Sequence, residues 1–403
     1  MIHDAASRGD ALTVRGLLAA DPAAATQADP ATGWDPLTAL CFSPRLRERP
    51  RVPGFLDAAR ALLDAGASAT TGFTKDGVFE SVLYGAAGIA RDGDLTALLL
   101  ERGADPNDDE VVYHTPETHD HAALHALLAS DRLTPASLAA MLLRKCDWHD
   151  EAGVARLLAR GADPNRITRW GYNALHQAIR RDNAPGIVTR LLDAGADPEA
   201  VAHGRTATAR AAWDGRGDVL RLLRDRGLAL ALTGPDRLMA ACALDDGDAV
   251  RALAGDGAIV AAVLDRQGEV LAEFAGCGNT AGLAHLLALG ADVEATAEAG
   301  DGYWMLAAGS TALHVAAWRA RHDTVPYLIA RGAAVEARDA EGRTPLMLAV
   351  RACVDSYWQA HRAPDSVAAL LAAGASTAGV EVPTGYDAID PMLARARGQT
   401  LGA

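Results

Sequence analysis

The sequence predicts an all-α fold of stacked helix-turn-helix units with projecting finger loops, a solenoid in which each unit shields its neighbour. Three observations predict it. Half of the residues are hydrophobic, yet only 5% are aromatic. The apolar mass is mainly alanine and leucine, which suits closely packed helices better than a sheet core. A phrase of two leucine-like residues, two variable ones and Gly-Ala recurs along the chain. Finally, 403 residues exceed what one compact core usually serves.

The phrase reads as a helix stop. It appears as Leu62-Leu63-Asp64-Ala65-Gly66-Ala67 and then at Gly103, Gly161, Gly195, Gly290, Gly332 and Gly374, closed by Asp-Pro-Asn after Gly103 and Gly161. Leucines bury on one side, and a glycine just past the last turn accepts the left-handed conformation that lets the chain turn. Asp-Pro then forbids re-entry into helix. Weaker copies at Gly227 and Gly257 make the central spacings 34, 32, 30 and 33 residues, a period of helical-pair repeats.

Roughly 12 residues before each leucine pair a second helix is expected. Its opening reads Thr311-Ala312-Leu313-His314-Val315-Ala316, Asn173-Ala174-Leu175-His176-Gln177-Ala178 and Thr344-Pro345-Leu346-Met347-Leu348-Ala349, with Thr206-Ala207-Thr208-Ala209 as a worn copy and Val112-Tyr113-His114 in the same register. Phrase and period together resemble the ankyrin repeat family, whose signature is Thr-Pro-Leu-His-x-Ala. The resemblance covers nearly the whole chain as about eleven repeats: 1–33, 34–72, 73–109, 110–134, 135–169, 170–202, 203–233, 234–266, 267–299, 300–338 and 339–381, with 382–403 as a C-terminal cap. It implies that His114, His176 and His314 tie fingers to helices, and that partners bind the concave side.

Composition bounds the partner. The net charge of −14 repels nucleic acid and anionic membrane at long range. Five scattered cysteines without a Cys-x-x-Cys spacing fit a reducing cytoplasm. The first ten residues lack a basic segment followed by an apolar stretch, and no apolar run approaches the roughly 18 residues that crossing a bilayer needs. Alanine-rich helices and arginine favoured over lysine suggest a bacterial source.

Catalytic readings are weighed and set aside. Glu117, His121 and His125 are spaced four apart, which on one helix would offer three zinc ligands. Pro116 and the apolar Leu124 and Leu128 argue against that helix face. Within the His114 to His149 region, His149 and Asp150 fit the inter-helix turn of repeat five. Cys353 and His361 are the nearest thiol–imidazole pair, without a flanking oxyanion loop. Gly276-Cys277-Gly278 reads as a tight turn. No cofactor is expected.

Departures from the period carry more. Gly290 to Gly332 and Gly332 to Gly374 each span 42 residues, so two insertions are expected in exposed loops. One lengthens the finger across Ala295 to Gly309 with Tyr303, Trp304 and Met305. The other lengthens the helix connection across Cys353 to Asp365 with Tyr357, Trp358, His361 and Arg362. Four residues after the signature histidine stand Arg180, Trp213, Trp318 and Arg351, with Arg319 and Arg321 nearby. Trp and Arg dominate interface energetics, so these ten residues (Arg180, Trp213, Tyr303, Trp304, Trp318, Arg319, Arg321, Arg351, Tyr357 and Trp358) form the expected docking set. The competing reading packs the tryptophans between inner helices and pairs the arginines with acids. Trp34, Trp170 and Tyr172 extend the set toward the first half, or staple one finger to the next.

The expected protein is thus a non-enzymatic scaffold, monomeric and cytoplasmic, gripping a protein or peptide, one with an acidic patch suiting the arginines. A metal-dependent or thiol enzyme and a secreted effector on the same scaffold are the alternatives.

Overall fold

In a computed structural model the chain is described over residues 1–48, 53–356 and 361–400. It divides into two compact units, Met1–Gly204 and Arg205–Ala403.

The signature threonine explains how several first helices begin. Thr344 stands just before the helix Pro345–Val354 and its hydroxyl accepts the Met347 amide. Thr311 does the same for His314 at the start of Ala312–Trp318, Thr206 for Ala209, and Asn173 for His176. A side-chain oxygen here satisfies an amide that the helix cannot, and proline at the next position has its φ already set. Asp35-Pro36 and Thr134-Pro135 build the same start at Pro36–Cys41 and Pro135–Asp147, two worn signatures that sequence reading passed over. Thr344→Ala is expected to lower stability by about 1 kcal/mol, read as a shifted urea midpoint.

Helix stops follow the glycine reading. Gly66, Gly103, Gly161, Gly195, Gly227, Gly290, Gly332 and Gly374 all have positive φ, between 78° and 104°. Gly257 is the exception and corrects the expectation. It is the first residue of a helix, Gly257–Leu264, capped by Asp256, so it opens a helix where a stop was expected.

In unit one, helices pair as Ile2–Ser7 with Ala11–Ala20, Pro36–Cys41 with Phe55–Asp64, Val82–Tyr84 with Gly93–Glu101, Asp109–His114 with Ala122–Ala129, Pro135–Asp147 with Glu151–Ala159, and Ala174–Arg180 with Pro185–Asp193. First helices pack on first helices and second on second, giving two layers with leucines such as Leu62, Leu99, Leu124 and Leu157 fully buried between them. Burying one such side chain contributes roughly 1.5–3 kcal/mol. The finger after Phe55–Asp64 is a β-hairpin, Gly72–Lys75 against Val78–Ser81.

Unit two repeats the plan with Ala207–Trp213, Gly234–Leu244, Gln267–Cys277, Ala312–Trp318 and Pro345–Val354 as first helices. The turn after Gln267–Cys277 is held by Asn279, whose amide donates to the Gly215 and Ala243 carbonyls at 2.8 and 2.9 Å. Among the described residues no helix is long and apolar enough to cross a membrane.

Candidate functional site

The histidines separate into two kinds. His314 is fully buried. Its Nδ1 lies 2.9 Å from Thr311 Oγ1, and its Nε2 lies 3.0 Å from the Arg343 carbonyl of the following finger. Burial lowers its pKa below the ordinary value, so the ring stays neutral as a structural tie. His176 is buried likewise, with Nδ1 2.8 Å from Asn173 Oδ1. His114 departs from the expected register: it ends the helix Asp109–His114 instead of starting one. Its Nδ1 meets Glu117 at 2.9 Å and its Nε2 meets Glu110 at 3.3 Å. The Glu117 hydrogen bond raises its pKa.

The three spaced ligand candidates do not share a helix. Glu117 lies in the turn after Thr115 and pairs with His114 and Arg144. His121 precedes Ala122–Ala129 and joins Asp150 at 2.6 Å, while His125 is exposed. Among the described residues no cluster of three or more potential metal ligands forms. Cys353 is buried, and burial raises its thiol pKa, which disfavours the nucleophilic thiolate. Its Sγ donates to the Ala363 carbonyl at 3.4 Å. Asp150 does occupy the inter-helix turn, where it caps Glu151–Ala159 through the Gly153 amide.

The docking set lands mostly inside. Trp213, Trp304, Trp318 and Arg319 are 7%, 5%, 1% and 3% exposed, which corrects the expectation that they protrude. The physical reason is pairing. The Trp318 indole donates to the Trp304 carbonyl, so the long finger folds down onto the helix end and does not reach out. Arg319 lies over the Trp304 ring at 4.1 Å. Trp213 donates to Asp236 at 2.6 Å between Arg205 and Arg266, whose guanidiniums sit 4.4 and 5.3 Å from its ring. Cation–π stacking of this kind uses the aromatic faces that a partner would have needed. Glu273, on Gln267–Cys277, has its pKa pushed up to about 7, first by desolvation and then by the Asp214 charge.

Arg180, Tyr303, Arg321 and Arg351 are partly exposed. Arg180 stacks over Tyr172 at 5.1 Å. Arg321 donates to the Gly276 carbonyl at 2.7 Å; Gly276 and Cys277 prove to be the last residues of the helix Gln267–Cys277, and only Gly278 forms the turn that was expected to span all three. Tyr303 meets Trp304 edge-on at 4.7 Å. Tyr357 and Trp358 lie outside the described residues.

Unit one holds a feature that sequence reading missed. Half-buried rings follow one another along the finger bases and first-helix ends: Trp34 to Phe73 at 4.6 Å, Phe73 to Phe42 at 4.8 Å, Phe42 to Tyr84 at 6.2 Å. Tyr84 then meets His114 at 5.2 Å, His114 meets Tyr113 at 4.7 Å, and Tyr113 meets Trp170 at 5.8 Å. Trp34 does staple one finger to the next through Phe73, and Tyr172 does so through His203 at 4.1 Å. The row is possible because Gly88, in the π-helical turn Gly85–Ile89, lies flat against it: a Cβ there would stand 2.6 Å from the Tyr84 ring. Arg144 caps Tyr113 at 4.0 Å while paired with Glu117 and Asp147.

Paired helices in two layers, threonine-started first helices and glycine-stopped second helices define an all-α repeat solenoid. A family model of ankyrin repeats matches the chain in three copies over residues 142–233 and 272–377, so those residues carry ankyrin repeats. Among curated proteins, a stretch of 54 residues is 39% identical to the serine/threonine-protein kinase TNNI3K of Pongo abelii, covering 13% of this chain and 9% of the kinase. The Homo sapiens kinase of the same name is 42% identical over 50 residues, covering 12% and 6%. The chain thus spans under a tenth of the length of these relatives. Among solved structures, the human ASB11 ankyrin repeat domain is 21% identical with a TM-score of 0.42, over 51% of this chain and 89% of that one. The ankyrin repeat domain of Bcl-3, described as a unique member of the IkappaB protein family, is 24% identical with a TM-score of 0.26, over 57% and 97%.

Proposed function

We propose that this chain is a non-enzymatic scaffold that docks a protein or peptide partner on its first-helix ends and fingers, the concave side of a repeat stack. Ankyrin repeats generally mediate protein–protein interaction, and no catalytic family is indicated. The observation that carries the reading is the row of half-buried aromatics from Trp34 to Trp170 in unit one. Rings already held in place lose little entropy on docking, and aromatic side chains of this size dominate interface energetics. In unit two the stacked and at least partly exposed guanidiniums of Arg205, Arg266 and Arg351 favour a partner with an acidic patch. We read the helix pairs outside the matched residues as diverged copies, eleven repeats in all in a bacterial-type protein, acting as a monomer in the cytoplasm away from nucleic acid and membrane.

Affinity capture of the intact protein, followed by mass spectrometry, tests this against a Trp34→Ala, Tyr84→Ala, Trp170→Ala triple variant whose melting curve is checked first. Each anchor is worth on the order of 2 kcal/mol when central, so partner recovery should fall more than tenfold. Equal recovery of the same partners by both forms would place docking elsewhere.

A further inference from the structure

A cavity of about 290 Å³ opens in unit two between the helix Pro345–Val354 and the loop that carries Val380, Glu381, Pro383 and Thr384. Met347, Leu348, Val350, Val354, Val380 and Pro383 supply its apolar wall. Gly379 allows the loop to close on Met347, since a Cβ there would stand 3.2 Å from the Met347 methyl.

Two arginines line this wall, Arg343 and Arg351, and they differ. Arg343 is already engaged: its Nε donates to Asp339 at 2.7 Å and Nη1 pairs with Glu341 at 3.1 Å. Arg351 is not. It lies over the Trp318 ring at 5.1 Å, and among the described residues its hydrogen bond goes to a soft acceptor, Met305 Sδ at 3.6 Å. Among the described residues no carboxylate pairs with it, whereas Arg144, Arg181, Arg210, Arg216 and Arg343 each hold one. A half-buried guanidinium without an anion is an unspent donor array.

We propose that this cavity binds a monocarboxylate carried on a short aliphatic body, the carboxylate on Arg351 and the body against Met347, Val350, Val354 and Pro383. Asp355 and Glu381 stand exposed on the same wall, and their charges select a single negative charge over the dianion of a phosphate. The chemistry is shared by a free aliphatic acid and by the C-terminus of a chain ending in leucine or valine. The site stands whether or not the first-helix ends dock proteins.

Titration calorimetry on the intact protein tests it with N-acetyl-leucine, 4-methylpentanoate, N-acetyl-leucinamide and inorganic phosphate. Both carboxylates should bind saturably, at least tenfold tighter than the neutral amide or phosphate. Arg351→Met should weaken them more than tenfold, and Val354→Trp, which fills the cavity while keeping the charge, should do the same. Arg331→Ala, an exposed control, should leave binding unchanged, with circular dichroism and melting confirming that each variant folds. Tighter binding of the acetylated amino acid assigns a chain end; tighter binding of the simple acid assigns a free acid; either supports the site. Absent binding, equal binding of acid and amide, or an Arg351→Met protein that binds as before would overturn it.

Discussion

Replacing Trp318 by alanine is expected to destabilise unit two by about 3–5 kcal/mol, the usual range for removing a buried tryptophan. At this size that lowers the thermal midpoint by roughly 6–20 °C. Trp318 is among the largest fully buried side chains and packs with Leu348 and Ala352, with Met305 and Leu306 against them. It also holds the long finger, because its indole N–H donates to the Trp304 carbonyl. Trp318→Phe separates the two contributions. It keeps most of the packing and leaves the carbonyl unpaired, so it should cost about 1–3 kcal/mol. A Trp318→Ala protein that melts like the parent would mean that the finger and the helix end are not packed as described.

The second large effect is expected at a buried ion group in unit one. Lys145 is fully buried and donates to Asp150 Oδ2 and to the Thr118 carbonyl, both at 2.6 Å. Asp150 also takes His121 Nε2 at 2.6 Å and the Gly153 amide at 2.9 Å. Asp150→Ala leaves a buried ammonium with one carbonyl for company and should cost about 3–5 kcal/mol. Lys145→Met should cost less, because Asp150 retains two partners. Desolvation opposes the charged Asp150, but the hydrogen bonds from Lys145 and His121 outweigh it and hold its pKa at about 2. The folded value lies below the unfolded one of about 3.9, so this group stabilises the fold fully above that pH. The contribution, about 2–3 kcal/mol, is lost as pH falls from there through the folded value. Urea midpoints at pH 7, 4 and 2.5 should therefore fall more steeply for the parent than for an Asp150→Ala, Lys145→Met double variant. Parallel curves would contradict the assignment.

The fold was legible where backbone chemistry leaves a residue no choice. A stop glycine must adopt positive φ, and a helix start needs a side-chain oxygen, so Gly66 through Gly374 and Thr311, Thr344 and Asn173 announced their places. Gly257 misled because a glycine at a helix start and one at a helix stop look alike in sequence. The site was less legible, since exposure depends on what a neighbouring loop does. Nothing local to Tyr303-Trp304 says that the finger turns inward onto Trp318, where a hydrogen bond and Arg319 hold it. The aromatic row in unit one escaped notice because its rings come from segments as far apart as Trp34 and Trp170. A signal was present, however: Phe42, His114 and Arg180 stand at the ends of their first helices, while Tyr84 stands at the start of its own, three residues after the capping Ser81.

Hydrogen–deuterium exchange of the intact protein, alone and with its captured partner, measures the docking face most directly. Slowed exchange across the finger bases and first-helix ends, around Trp34–Phe42, Phe73, Tyr84, Tyr113–His114 and Trp170–Arg180, is the predicted result. Protection confined to the second helices, such as Phe55–Asp64, Gly93–Glu101 and Glu151–Ala159, would contradict the account.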